Sequence, residues 1–273
     1  MPELPEVETT CRGIQPFAKD QVIEQVIIRQ AKLRWSVDKE LNNKLKGKKI
    51  TAVNRRAKYL LLQTDAGDLM IHLGMSGSLR IIGKREAKKP LQKHDHVDIC
   101  LSNGKTIRFN DPRRFGSIIL NKQGEEHSLL VKLGPEPLTD EFDATYLHAK
   151  AIGRKVAIKA FIMNNHIVVG VGNIYAQESL FLSGINPNRA ACKVSKPRME
   201  KLVLNIKQVL ADAIKAGGTT LKDFSGADGK PGYFQQTLNV YGRQGEACFK
   251  CETKLKQVTI GQRTTVYCSR CQK

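Results

Sequence analysis

Short apolar runs broken by turn residues fill the first half of the chain, at 22–28, 49–53, 59–63, 69–72, 97–101, 106–109 and 117–120. Runs of this length predict strands, and their spacing predicts an antiparallel sandwich. Asp65-Ala66-Gly67-Asp68 and Ser102-Asn103-Gly104-Lys105 fall between runs and read as hairpin turns. Ahead of the strands, 3–14 carries helix-forming residues with Pro2 and Pro5 at its start, where proline is tolerated.

After Leu133-Gly134-Pro135-Glu136-Pro137-Leu138 the pattern becomes helical, and a domain boundary is expected there. The clearest helix is 196–216: Ser195 can cap it, Met199, Leu202, Ile206, Val209, Leu210 and Ala213 repeat on one face, and Gly217-Gly218 stop it. Further helices are expected at 140–149, 155–163 and 173–182. The turn Val168-Val169-Gly170-Val171-Gly172 joins the last two into a hairpin, with Asn173 as the expected N-cap. That cap is either ordinary or flanked by amides able to hold a phosphate. The glycine-rich stretch 219–235 is either a connector or a functional lid.

Charge narrows the choice of partner. The 273 residues hold 45 Lys and Arg against 26 Asp and Glu, a formal net charge of +19 with a pI near 9.7. Such an excess attracts polyanions, nucleic acid foremost, though an anionic membrane surface has the same appeal. The N-terminus is acidic where a secretory signal is basic and then apolar, and no run approaches the length of a bilayer span, so a soluble, cytoplasmic protein with no membrane partner is expected. Cys11, Cys100 and Cys192 are scattered and suggest no disulfide framework. Nothing suggests a dimer interface, and a monomer is expected.

The other four cysteines stand in a Cys-x2-Cys-x16-Cys-x2-Cys array at Cys248, Cys251, Cys268 and Cys271. Two knuckles each present two thiolates to one tetrahedron, and the residues between them suit a two-stranded ribbon, which predicts one structural zinc ion. The 26 residues from Cys248 to Lys273 hold six Lys or Arg and a single acid, Glu252, so the ribbon is itself basic. His94-Asp95-His96 places two imidazoles on one strand face, but no further metal ligands are evident beside them.

Several motifs occur in a fixed order: Met1-Pro2-Glu3-Leu4-Pro5-Glu6-Val7-Glu8-Thr9, Arg56-Ala57-Lys58-Tyr59-Leu60, His72-Leu73-Gly74-Met75-Ser76-Gly77 and Asp111-Pro112-Arg113-Arg114-Phe115-Gly116. They are followed by the Leu133–Leu138 linker, Gly172-Asn173-Ile174-Tyr175, Val240-Tyr241-Gly242-Arg243 and the cysteine array. Together they resemble formamidopyrimidine-DNA glycosylase from end to end. The resemblance implies a multi-domain α+β protein: an N-terminal antiparallel β-sandwich with flanking helices (1–132), a helical helix-two-turn-helix domain (133–240) with a lesion-capping loop at 219–235, and a C-terminal β-hairpin zinc finger (241–273). It implies double-stranded DNA containing oxidised purines, preferably opposite cytosine, as the partner.

The chemistry follows from residue types. With Met1 removed, Pro2 presents a secondary amine, and an α-amino group with a pKa of about 8 leaves a usable neutral fraction at physiological pH. Glu3 beside it can pass protons as general acid and base. The resemblance implies attack by Pro2 on C1' of the damaged nucleotide, loss of the base, and β- and then δ-elimination through the Schiff base. It brings Lys58 to the active site and gives Arg263, at the tip of the ribbon, a catalytic and phosphate-clamping role. A damaged base must be extruded before C1' is reached. Met75, Arg113 and Phe115 match residues that fill the void and pair with the orphaned base. His72, His94, Arg154, Asn173 and Tyr241 carry over as DNA contacts. Cys11 stands where many relatives have a basic residue, which implies one weakened backbone contact. Two alternatives remain at this level: an endonuclease VIII-like enzyme for oxidised pyrimidines, and a non-catalytic damaged-DNA-binding protein on the same scaffold.

Overall fold

The computed structural model describes residues 2–83, 90–125, 127–218 and 238–273. The chain divides into two compact units, one holding the residues up to Val131 with 216–218, the other holding 132–215 with the described residues from Leu238 onward.

The first unit opens with helix α1 (Leu4–Ala18), followed by β1 (Ile23–Ile28), the short α2 (Leu41–Leu45), and strands β2 (Ile50–Arg56), β3 (Tyr59–Thr64), β4 (Gly67–His72), β5 (Ser78–Ile82), β6 (Asp95–Leu101), β7 (Thr106–Asn110) and β8 (Ser117–Lys122). These form two four-stranded sheets, ordered β1-β6-β7-β5 and β2-β3-β4-β8, with every pairing antiparallel. The expected sandwich is present. Strand β5 and helix α2 went unforeseen, because Ser-Leu-Arg-Ile-Ile and Leu-Asn-Asn-Lys-Leu are too short to show a period.

Helix α1 runs a turn beyond the expected Ile14, through Pro16. Burial explains the extension: Val7, Cys11, Ile14 and Ala18 recur at helical spacing and join the sandwich core with Leu60, Leu62, Ile71, Ile99 and Phe109. Cys11 is 5% exposed and its thiol points at the Val53 carbonyl, 3.7 Å away. The position therefore packs the core, which corrects its reading as a weakened DNA contact. Burial pushes the Cys11 thiol up to about 11.

The outer face of the β1-β6-β7-β5 sheet is built from charge. Val97, Ile99 and Leu101 face the core, while a bulge between Asp95 and Val97 turns Asp95 to the same side as Asp98. A run of alternating ions results: Arg29 to Asp98 at 2.7 Å, Arg108 doubly bonded to Asp98 at 2.8 Å, Arg108 to Asp95 at 3.6 Å, and Arg80 to Asp95 at 2.7 Å. Burial opposes the Asp98 charge, but the Arg108 and Arg29 guanidiniums outweigh it and hold the carboxyl below its ordinary value.

Helix α3 (Ser128–Val131) ends the first unit, and α4 (Ala144–Ala151), α5 (Ile158–Ile162), α6 (Asn173–Ser183), a 3-10 turn (Ala191–Lys193) and α7 (Lys196–Lys215) belong to the second. A two-stranded ribbon, β9 (Lys256–Ile260) and β10 (Arg263–Tyr267), closes the chain. Phe181 of α6 packs with Val240, Leu255, Val266 and the buried Cys248 and Cys268, so ribbon and helix share one small core. Among the described residues, no helix is long and apolar enough to cross a membrane.

Removing one partner of a buried ion pair strands the other charge. Asp98→Asn is therefore expected to destabilise the first unit by about 3–5 kcal/mol in urea unfolding. Because the folded Asp98 pKa is depressed, its contribution is full above the unfolded value of about 3.9 and is lost as pH falls through the folded one. The variant should lose its deficit relative to the parent in that acid window, and a constant deficit down to low pH would refute the assignment.

Candidate nucleic-acid interface and active site

Two loops of the first unit carry the residues expected to enter DNA, and a buried carboxylate ties them together. Asp111 is fully buried and accepts from Ser76 Oγ at 3.0 Å, the Arg113 amide at 3.2 Å and the Gly116 amide at 2.8 Å. The 73–77 turn is thereby joined to the 111–116 turn. Glycine makes the approach possible: a Cβ on Gly74 (φ +66°) would lie 2.5 Å from the Phe115 carbonyl carbon, and one on Gly116 would lie 2.7 Å from the His72 carbonyl oxygen. Arg114 takes a left-handed backbone with φ 55°. Met75 and Phe115 emerge 38% and 44% exposed, unusual for such side chains. The Arg113 guanidinium lies over the Phe115 ring at 5.1 Å.

His72, Met75 and Phe115 line one open pocket of about 600 Å³ with Leu33, Arg34, Gly74 and Arg114. The His72 Nδ1 accepts from the Gly74 amide at 3.0 Å, which fixes the neutral tautomer with its proton on Nε2. Burial, then the Lys58 and Arg34 charges, pulls the His72 pKa down to about 4. A neutral imidazole donor flanked by two cations is an anion-binding arrangement. Lys58 sits in the two-residue Ala57-Lys58 turn between β2 and β3. Ala57 pays for that turn with φ 52°. Arg34 was missed in the sequence, since nothing local separates it from the chain's other cations.

Pro2 is buried just ahead of α1. Glu3 is the N-cap residue, 3% exposed, and its amide donates to the Glu6 carboxylate at 2.8 Å in a capping box. The expected nucleophile and its acid–base partner thus stand at a fixed helix head. His94 lies elsewhere: its carbonyl accepts from the Asp111 amide at 3.1 Å, and its ring meets the His96 ring edge-on at 6.1 Å. His96 Nε2 is engaged with the Asp111 carbonyl at 2.8 Å.

In the second unit Asn173, Tyr241 and Arg263 line a single pocket of about 340 Å³ with Gln177, Gly242, Gln244, Thr264 and Val266. Gly172 is the N-cap of α6 and Asn173 its first residue, a correction to the expected cap. The Asn173 amide is turned instead to the Thr264 carbonyl at 3.2 Å. Tyr241 is presented by a segment anchored on Glu178, a buried carboxylate that accepts from the amides of Asn239, Val240 and Tyr241 at 2.8–2.9 Å. Gly261 and Gln262, with φ 56° and 59°, form the tight turn that leads into Arg263, which is exposed at the ribbon tip. Arg154 is exposed on the separate loop between α4 and α5. The 219–235 loop falls outside the described residues apart from its approach at Gly217-Gly218.

Cys248, Cys251, Cys268 and Cys271 gather their sulfurs within 4.8 Å of one another, the one group of three or more potential metal ligands among the described residues. The nearest pairs are 3.4 Å apart for Cys251–Cys268 and Cys251–Cys271, and 3.9 Å for Cys248–Cys271. Four sulfurs so placed could hold a metal ion.

The His72 ring is expected to titrate by NMR with a midpoint near 4. An unfolded histidine protonates near 6.5, so between those values the unfolded state binds more protons and stability falls as pH drops, by roughly 3 kcal/mol. A midpoint near 6.5 would contradict the buried, neutral assignment.

Comparison with known proteins agrees with this geometry. Residues 1–118 match the formamidopyrimidine-DNA glycosylase N-terminal domain, and 133–225 match the H2TH domain of the same enzyme. The formamidopyrimidine-DNA glycosylase of Hydrogenovibrio crunogenus is 58% identical, the match covering 100% of this chain and 97% of that protein. A Lactococcus lactis FPG mutant in complex with Fapy-dG containing DNA superposes with a TM-score of 0.92 at 30% identity, covering 100% of both chains. A MutM structure in complex with carbocyclic 8-oxo-G containing DNA gives 0.91 at 31%, again over 100% of both. With two domains matched in order and a relative this similar along its whole length, the chain belongs to the formamidopyrimidine-DNA glycosylase family.

Proposed function

We propose that this protein removes oxidised purines, 8-oxoguanine and formamidopyrimidines, from duplex DNA in base excision repair, and that it then cleaves the strand as an abasic-site lyase. The observation that carries the reading is the buried Pro2–Glu3 pair at the head of α1. The DNA-bound relatives, one with Fapy-dG and one with a carbocyclic 8-oxo-G, support the substrate class.

With Met1 removed, the Pro2 nitrogen lone pair attacks C1' and the C1'–base bond breaks, the purine leaving with a proton. Glu3 protonates the deoxyribose ring oxygen as the ring opens to the iminium. The iminium acidifies the C2' hydrogens, so loss of one expels the 3' phosphate, and a second elimination expels the 5' phosphate. A one-nucleotide gap with a phosphate at each end remains, and water hydrolyses the iminium that still joins Pro2 to the unsaturated sugar remnant, releasing an aldehyde and regenerating the Pro2 amine. Lys58 and His72 hold the backbone near the lesion, Met75 and Phe115 occupy the space the base leaves, and Arg113 pairs with the orphaned base, favouring cytosine. Asn173, Tyr241 and Arg263 clamp phosphates, with Arg263 also assisting the eliminations, and Arg154 and His94 add backbone contacts.

The ion that best fits the cysteine site is zinc. At about 2.3 Å per Zn–S bond, a tetrahedron has sulfur–sulfur edges of about 3.8 Å, which falls within the spread of the four sulfurs, 3.4–3.9 Å for the nearest pairs and within 4.8 Å for all. All four positions are filled by protein, so zinc would fix the ribbon and take no part in the reaction.

Borohydride reduces an iminium to a stable amine. Protein with Met1 absent should give a covalent adduct with an 8-oxoguanine:cytosine duplex, and protein with a blocked terminus should give none. Adducts formed with oxidised-pyrimidine DNA alone would favour the endonuclease VIII-like reading, and tight binding without any adduct would favour a non-catalytic binder.

A further inference from the structure

We propose that Gln177 is a positioning residue for Arg263, its side-chain amide standing in for a missing neighbour strand on the open edge of β10. The inference rests on the phosphate-clamping role given to Arg263 above.

Among the described residues, strand β10 pairs with β9 alone. In a hairpin with a two-residue turn, the residues flanking the turn, Ile260 and Arg263, exchange backbone hydrogen bonds, and so does the pair two residues further on, Val258 and Thr265. The backbone groups of Thr264 and Val266 therefore point away from β9. Gln177 meets both: its Oε1 accepts from the Val266 amide at 2.6 Å, and its Nε2 donates to the Thr264 carbonyl at 3.3 Å. This is the bonding that one residue of a parallel strand would supply, its N–H reaching one carbonyl and its C=O the amide two residues on. The Gln177 amide is itself held, because Nε2 also donates to the Asn173 carbonyl one helical turn back at 2.9 Å. At 2% exposure it has no freedom to rotate away.

The bond falls where Arg263 needs it. The Thr264 carbonyl follows Arg263 directly, and it also accepts from Asn173 Nδ2 at 3.2 Å and Lys159 Nζ at 3.5 Å. Lys159, fully buried, further donates to Thr265 Oγ1 at 2.6 Å, and that hydroxyl donates to the Arg263 carbonyl at 3.2 Å. Arg263 itself is exposed beyond these anchors. A guanidinium that must meet a phosphate at the tip of a two-stranded ribbon depends on the strand behind it staying fixed, since displacement of a functional group by an ångström is enough to lose its effect. Among the three anchoring side chains, Gln177 alone grips the edge at two successive outward positions.

A double-mutant cycle on 8-oxoguanine:cytosine duplex tests this, using the full chain with its metal content and thermal midpoint checked. Gln177→Met keeps the volume and removes the hydrogen bonds. It should lower kcat/KM at least threefold, while Gln177→Met/Arg263→Ala should be no worse than Arg263→Ala alone. Gln177→Asn, too short to span the edge, should behave as Gln177→Met does and serves if the Met variant folds poorly. In parallel, the backbone order parameter at Arg263 should drop in either variant. Wild-type kcat/KM in Gln177→Met, or a further threefold loss on top of Arg263→Ala, would overturn the proposal. If Arg263→Ala is itself as active as wild type, the function assigned to Arg263 fails instead. The order parameter then decides separately whether Gln177 holds the tip, and an unchanged value overturns that part too.

Discussion

A single buried carboxylate, Asp111, holds the first unit's interface together. Both of its oxygens are committed, one to Ser76 and the Arg113 amide, the other to the Gly116 amide. Burying a charge is costly unless it is hydrogen-bonded, and those donors are what make Asp111 tolerable in the interior. The same bonds force the 73–77 and 111–116 turns into contact at distances only glycine permits. With the turns locked, Met75 and Phe115 stand exposed. In the proposed function they would occupy a site between bases, and binding DNA would bury that surface.

Donors are spread differently over the two units. In the first, His72 is kept neutral by burial and by the Lys58 and Arg34 charges, so it offers a hydrogen bond without adding to the repulsion among cations. In the second, Arg263 projects from a ribbon whose sulfurs and hydrogen-bonded edge tie it to α6. The net charge of +19 supplies long-range attraction to a polyanion, while in the proposed function these fixed donors would set where the DNA backbone rests.

Much of this was legible in the sequence, for physical reasons. The cysteine array is legible because metal-ligand spacing is local, and the 196–216 helix because its apolar face, Met199 to Ala213, repeats over about four turns. Met75 and Phe115 were legible only through the family resemblance, since side chains of their kind are more often core. What escaped depends on contacts between distant residues: the Asp95 bulge that aligns it with Asp98, the Glu178 carboxylate that gathers three amides some sixty residues away, and the Gln177 amide on β10. Cys11 misled for the same reason, since its place on the inward face of α1 is decided by the core it meets. Asn173 misled by one position, because Gly172 takes the extended backbone of the cap.

The central claim is that an amine at Pro2 carries the reaction through base loss and both eliminations. Mass spectrometry of the products from a duplex with one 8-oxoguanine opposite cytosine tests it most directly. The account predicts free 8-oxoguanine and two fragments of the damaged strand, each bearing a phosphate at the new end. A full-length strand carrying an intact abasic site, or unreacted 8-oxoguanine, would contradict it.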